Sequence, residues 1–131
     1  MQNFLKNKRV EPSKKNVLER IKNFEEIYER YDVSAAKGQS DRCVQCGIPY
    51  CHNGCPLDNY IPHWLKLVAG NDLKLAFKMS NQTSPFPEIM GRVCPQDRLC
   101  EGSCTLNKDF GAVTIGSVEV FITEEGFKNG L

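Results

Sequence analysis

The cysteines are the residues with the clearest chemical potential, because seven of them gather in two short groups of a 131-residue chain. The first group is Cys43, Cys46, Cys51 and Cys55, and the second is Cys94, Cys100 and Cys104. An odd number of thiols disfavours a complete disulfide framework, and a reducing compartment would keep them free. Thiols clustered at short spacing are instead typical ligands of soft metals.

The spacing within the first group favours a [4Fe–4S] cluster. Four cysteines within thirteen residues, ending in Cys55-Pro56, match the cysteine runs of bacterial ferredoxins. In those runs the last cysteine ligates a different cluster from its neighbours. Gly47 and Gly54 lie beside predicted ligands, where the missing side chain lets the backbone approach a cluster closely.

This crossover rule predicts two ligand sets from the seven thiols. Cluster one is expected to bind Cys43, Cys46, Cys51 and Cys104. Cluster two is expected to bind Cys55, Cys94 and Cys100, which leaves it one ligand short. We predict that Glu119 is that ligand, because it lies fifteen residues after Cys104, near the start of a predicted helix whose dipole favours a carboxylate. The alternatives are Asp97, Asp109, water, or a three-iron cluster.

Structural zinc is the competing interpretation of the cysteines. Zinc sites usually draw two pairs of ligands from separate knuckles, a pattern that the first cysteine group fits poorly. His52 is next to Cys51 and could be a ligand, although we favour a hydrogen bond outside the metal's own shell. His63, beside Trp64, is predicted to be a packed helix residue. A nucleophilic cysteine with a histidine partner would leave six cysteines unexplained.

Composition excludes several other classes of protein. Lysine and arginine number 17 against 16 acidic residues, so the chain lacks the basic excess of a nucleic-acid binder. No apolar run has the length of a membrane span, and the N-terminus has no signal-peptide core. We therefore expect a cytoplasmic protein that binds neither nucleic acid nor membrane, folded as a single domain over 1–131.

The elements that must position the cysteines are predicted to be mostly α-helical, since no alternating run of strand length occurs. An amphipathic helix is predicted over 12–32, capped by Ser13. Its apolar face would hold Val17, Ile21, Phe24, Tyr28 and Tyr31.

The cluster-binding core is predicted to span 43–104, preceded by a short helix from Ser34 to about Cys43. Within the core, one helix is expected between Pro62 and Gly70 and another after a cap at Asp72. Residues 83–93 are predicted to be a proline-punctuated loop, and the last helix to cover 115–129.

An ordered set of motifs surrounds the cysteines from about residue 9 to 127. The motifs are Cys43-Val-Gln-Cys46-Gly-Ile-Pro-Tyr-Cys51-His-Asn-Gly-Cys55-Pro-Leu, Ile61-Pro62-x-Trp64, Phe86-Pro87-Glu88, Gly91-Arg92-Val93-Cys94-Pro95, Leu99-Cys100-Glu101-Gly102-x-Cys104 and Val113-x-Ile115-Gly116-x-Val118-Glu119. This pattern resembles the N-terminal domain of the small (β) subunit of NADPH-dependent glutamate synthase. Dihydropyrimidine dehydrogenase and related flavoproteins carry a similar domain, and zinc-organised interaction modules are the alternative from another class.

The resemblance implies an α-helical ferredoxin-like domain built around two [4Fe–4S] clusters. In that family electrons pass from NADPH to FAD in the rest of the small subunit, and then through the clusters. They reach the large subunit, whose FMN reduces 2-iminoglutarate to glutamate. The domain would thus be part of an oxidoreductase and contain no catalytic residue. In dihydropyrimidine dehydrogenase the position matching Glu119 is a glutamine that ligates a cluster, a precedent for an oxygen ligand.

The sequence departs from a full-length small subunit in two respects. Its glycines form no Gly-x-Gly-x-x-Gly fingerprint, so no dinucleotide-binding site is predicted. The chain stops about where the family enters its FAD domain, so it is either an excised fragment or a stand-alone cluster protein. We favour the fragment and expect no turnover of its own. Arg42, Arg92 and Arg98 lie near cysteines, where positive charge would ease reduction, unless they are solvated surface arginines.

Overall fold

The computed structural model describes residues 1–131 and contains α-helices, turns and loops but no β-strand. After a short 3₁₀ turn at Asn3–Leu5, eight helices follow in order. They are α1 (Val17–Arg20), α2 (Val33–Ser40), α3 (Tyr50–Asn53), α4 (Ile61–Ala69), α5 (Leu73–Ser80), α6 (Pro87–Val93), α7 (Asn107–Phe110) and α8 (Ile115–Lys128). The predicted mostly α-helical class is confirmed.

Helices α4 and α5 begin and end where their sequence signals lie. Pro62 occupies the first turn of α4, where its missing N–H costs nothing, and Gly70 follows the last residue. The Asp72 side chain caps α5 by accepting a hydrogen bond of 3.1 Å from the Leu75 amide. Both helices contribute to the core.

Helix α8 forms the centre of the fold and packs against α5 and α6. The core around it and α4 consists of fully buried apolar side chains, among them Ile61, Trp64, Leu65, Val118 and Ile122. Burial of each such side chain stabilises the fold by roughly 1.5–3 kcal/mol. The contact with α6 is close because Gly91 has no side chain. A Cβ there would lie 2.9 Å from the Gly116 carbonyl oxygen.

The predicted helix over 12–32 is wrong. Only α1 is helical, with Asn16 and not Ser13 as its cap, and Lys14 and Tyr28 form an isolated antiparallel bridge. Phe24 is fully exposed, and of the predicted apolar face only Tyr31 is buried. A short helix needs packing to persist, and this segment has no core surface to cover. It is held instead by ion pairs of Glu26 and Arg30 with Arg92 and Glu124.

Two smaller predictions also need correction. The 83–93 segment is not all loop, because Pro87 begins α6 in the position where proline is compatible with a helix. The helix predicted from Ser34 to Cys43 spans Val33–Ser40, and its cap is Asp32, whose side chain accepts from the Ala35 amide at 2.7 Å. None of the helices has the length and apolar character of a membrane span.

Candidate metal centres

Four cysteines from distant parts of the chain line one cavity. They are Cys43, Cys46, Cys51 and Cys104. Cys43 and Cys46 lie in the loop after α2, Cys51 lies in α3, and Cys104 precedes α7. The cavity is narrow, about 20 Å³, so a cube bound there requires the thiols to move apart.

The loop between Cys43 and Cys46 is shaped to present hydrogen-bond donors. Gln45 adopts a left-handed conformation with φ of 54°, and its side-chain amide donates to Cys43 Sγ at 3.2 Å and to the Pro62 carbonyl at 2.8 Å. Cys46 Sγ lies 3.2 Å from Thr105 Oγ1. Donors directed at sulfur stabilise negative charge on a thiolate, which suits a metal ligand.

A second, larger cavity of about 230 Å³ lies beside the first, and Ile115 lines both. Its possible metal ligands are Cys55, Cys94, Cys100 and Glu119. The crossover rule assigns only three thiols to cluster two, and the structure places Glu119 in the same cavity as those three thiols. Neither Asp97 nor Asp109 lines this cavity.

A buried hydrogen-bond network orients Glu119. Asn59 Nδ2 donates to Glu119 Oε1 at 2.9 Å, while Asn59 Oδ1 accepts from Trp64 Nε1 at 3.0 Å and from Thr83 Oγ1 at 3.3 Å. An indole N–H can only donate, so Trp64 fixes which way the Asn59 amide faces. Sequence reasoning missed Asn59. The available signal was a polar residue between Cys55-Pro56 and the apolar helix α4.

Comparison with known proteins identifies the family of this chain. A family model described as dihydropyrimidine dehydrogenase domain II, 4Fe-4S cluster, matches residues 20–131, which include both cysteine groups. The chain belongs to this [4Fe–4S] family. The family is the one that the motifs predicted, and the soft thiol donors at both cavities fit its cofactor.

Two relatives that are more than half identical to this [4Fe–4S] domain are small chains of one enzyme. It is 53% identical over 127 residues to the glutamate synthase [NADPH] small chain of Escherichia coli, covering 97% of this chain and 27% of that relative. It is 54% identical over 122 residues to the glutamate synthase [NADPH] small chain of Halomonas elongata, covering 93% of this chain and 26% of that relative. The chain thus spans about a quarter of the length of the curated relatives that it matches.

Burial raises the pKa of four thiols in the [4Fe–4S] domain, those of Cys43, Cys51, Cys94 and Cys100. It raises the pKa of Cys51 to about 12, with a further contribution from the neighbouring thiols of Cys104 and Cys43. Burial likewise raises the pKa of Cys100, and the charge of Glu101 adds to this effect. Metal binding must therefore release protons.

Burial also raises the pKa of Glu119 to about 7, against the hydrogen bond from Asn59, which lowers it. A carboxyl group with this pKa exchanges readily between its neutral and charged forms near neutral pH. Only the charged carboxylate is a strong metal ligand, so binding of a metal draws Glu119 into that form.

The two histidines of the [4Fe–4S] domain line neither cavity. His52 Nδ1 lies 3.0 Å from the Asn59 carbonyl oxygen, and its ring stacks on Tyr60. The prediction that His63 packs inside the fold is wrong. It is exposed on α4, with its ring against the edge of Tyr60.

The zinc interpretation is not supported. The thiols instead surround two cavities, and the family is described by a 4Fe-4S cluster.

Proposed function

We propose that this chain is the iron–sulfur domain of an NADPH-dependent glutamate synthase small chain and carries two [4Fe–4S] clusters. The observation that carries the proposal is the division of seven thiols and one carboxylate between two neighbouring cavities. Relatives that are more than half identical to the chain bear the name glutamate synthase [NADPH] small chain. In the proposed role the chain transfers electrons and has no turnover of its own.

The proposed ligand sets follow the two cavities. Cluster one is held by Cys43, Cys46, Cys51 and Cys104, and cluster two by Cys55, Cys94, Cys100 and Glu119. Each bound cluster supplies one-electron transfer chemistry, while the protein supplies spacing, burial and hydrogen bonds. Ile115 lines both cavities, so the two proposed cluster sites are adjacent.

The proposed partners follow from the same role. Electrons come from NADPH through FAD in the remainder of the small chain and leave toward the FMN-containing large subunit. A cytoplasmic location, with no nucleic-acid or membrane partner, belongs to the same proposal. The cluster domain of a dihydropyrimidine dehydrogenase-like flavoprotein is the second candidate, because the family description names that enzyme.

Metal and sulfide analysis of anaerobically purified protein tests the proposal. We expect about eight iron and about eight sulfide per chain, as two cubes require. The chain alone should not be reduced by NADPH, although dithionite should reduce it. About two zinc ions with negligible sulfide would refute the iron–sulfur assignment. Clusters that pass no electrons to a glutamate synthase large subunit in the assembled enzyme would favour the second candidate.

A further inference from the structure

Arg42 is a fully buried cation next to the first cysteine group. It directly precedes Cys43 and has 0% exposure. Its guanidinium donates to three consecutive backbone carbonyls, at 2.7 Å for Phe110, 2.8 Å for Gly111 and 3.0 Å for Ala112. The next residue along the chain, Val113, lines the cavity of Cys43 and Cys104.

No carboxylate neutralises this guanidinium. Arg42 forms no ion pair within 4.0 Å, although the domain contains several others. Its Nε–H is buried and has no acceptor in the protein. The adjacent cation, Arg9, shares the Ala112 carbonyl but is paired with Glu11 and Glu101. A buried charge without a partner is strongly destabilising, so a compensating negative charge is required.

A bound cluster one would supply negative charge near Arg42, because Arg42 directly precedes the proposed ligand Cys43. Cys43 is one of four thiols at the first cavity, and a cube held by four thiolates carries net negative charge that increases on reduction.

We propose, resting on the proposed function, that Arg42 is the countercharge of cluster one and stabilises its reduced form. The carbonyls of 110–112 hold the cation in place, so its position does not have to change when the electron arrives. The other arginines near cysteines lack this arrangement. Arg92 is paired with Glu26 and Glu124, and Arg98 is exposed to solvent.

The test is an EPR-monitored redox titration of the anaerobic, cluster-loaded protein. At the parent's midpoint potential, the ratio of reduced to oxidised cluster one should fall about tenfold or more in Arg42→Met. This fall corresponds to a midpoint potential that is lower by about 59 mV. Cluster two should shift much less. Arg98→Met makes the same charge change two residues from Cys100 but in solvent, and should leave both clusters unchanged.

Arg42→Lys separates charge from packing, because it retains the charge but loses the planar three-carbonyl fork. We expect it to keep cluster one near the parent's potential. If Arg42→Met fails to load cluster one while Arg42→Lys loads it, this outcome also supports the proposal, because the charge alone distinguishes the two variants. Three outcomes would overturn the proposal. They are an unchanged cluster-one potential in Arg42→Met, an equal shift of that potential in Arg42→Met and Arg42→Lys, and failure of both variants to load cluster one. Iron and sulfide analysis of the parent tests the proposed function separately, because a parent with two clusters supports that function even if Arg42 is not the countercharge.

Discussion

Asn59 Nδ2 lies 2.9 Å from Glu119 Oε1 and joins the loop after the first cysteine group to helix α8. Both residues are buried, at 4% and 7% exposure, so the hydrogen bond has no water to replace it. It restrains one carboxylate oxygen and leaves the other available to the cavity of Cys55, Cys94 and Cys100. Orientation of a ligand by a neighbouring residue is common at metal sites.

Asn59→Ala should therefore weaken cluster two more than cluster one. Removal of the amide leaves Glu119 and the Trp64 N–H unsatisfied, which costs about 1–3 kcal/mol for each buried group. Iron release to a chelator, followed by the EPR signal of each cluster, measures the effect. Thr83→Val removes only the 3.3 Å hydrogen bond to Asn59 Oδ1 and should have a smaller effect. Equal loss of both clusters would argue against an orienting role.

Glu119→Ala should leave cluster one intact while cluster two becomes labile or loses one iron. The reason is that no other carboxylate lines the second cavity. Mössbauer spectra of the parent should contain one distinct iron in cluster two. Glu125→Ala, on the same helix but away from the cavity, is the matched control. If Glu119→Ala keeps both cubes with unchanged spectra, the ligand is another group.

The crossover between the cysteine groups predicts reciprocal losses. Cys104→Ala should damage the cluster held by Cys43, Cys46 and Cys51, although Cys104 belongs to the second group in sequence. Cys55→Ala should damage the other cluster. Cluster-specific EPR signals of the two variants distinguish the assignments, and the opposite pairing of losses would refute the crossover.

Acid should remove cluster two through Glu119. The pKa of this group is raised to about 7 without metal, so protons compete for the carboxylate as the pH falls through that value. Iron release from cluster two should be faster at pH 6 than at pH 8. Glu119→Gln has no titratable group at this position and keeps every cysteine of the parent. Its iron release from cluster two should therefore depend less on pH. Identical profiles for parent and variant would exclude this role for Glu119.

Gly91→Ala should destabilise the fold by about 1–3 kcal/mol through overpacking. The new Cβ would lie 2.8 Å from Val120 Cγ2 and 2.9 Å from the Gly116 carbonyl oxygen, and backbone cannot move aside cheaply. Gly38→Ala is the control, since nothing lies within 4 Å of its Cβ and α2 should gain about 0.5–1 kcal/mol. Thermal unfolding of the loaded proteins measures both changes. A Gly91→Ala variant as stable as the parent would show that α6 and α8 can separate.

The sequence by itself determined the chemistry of this domain and its helical class. Seven thiols in ferredoxin-like spacing identify a soft-metal cofactor, since only such a cofactor needs that many thiolates at short range. Local signals also placed α4 and α5, because Pro62, Gly70 and Asp72 act within one turn of the helix they limit.

Only the tertiary structure decided which residues surround each cavity and which periodic segment becomes helical. The apolar period of 12–32 matches a helix, but without a surface to cover the segment forms a bridge and ion pairs instead. Asn59 and Arg42 gained their proposed roles in the same way. Asn59 contacts Glu119 across 60 residues, and Arg42 contacts the carbonyls of 110–112 across 68 to 70 residues, so no local pattern encodes either role.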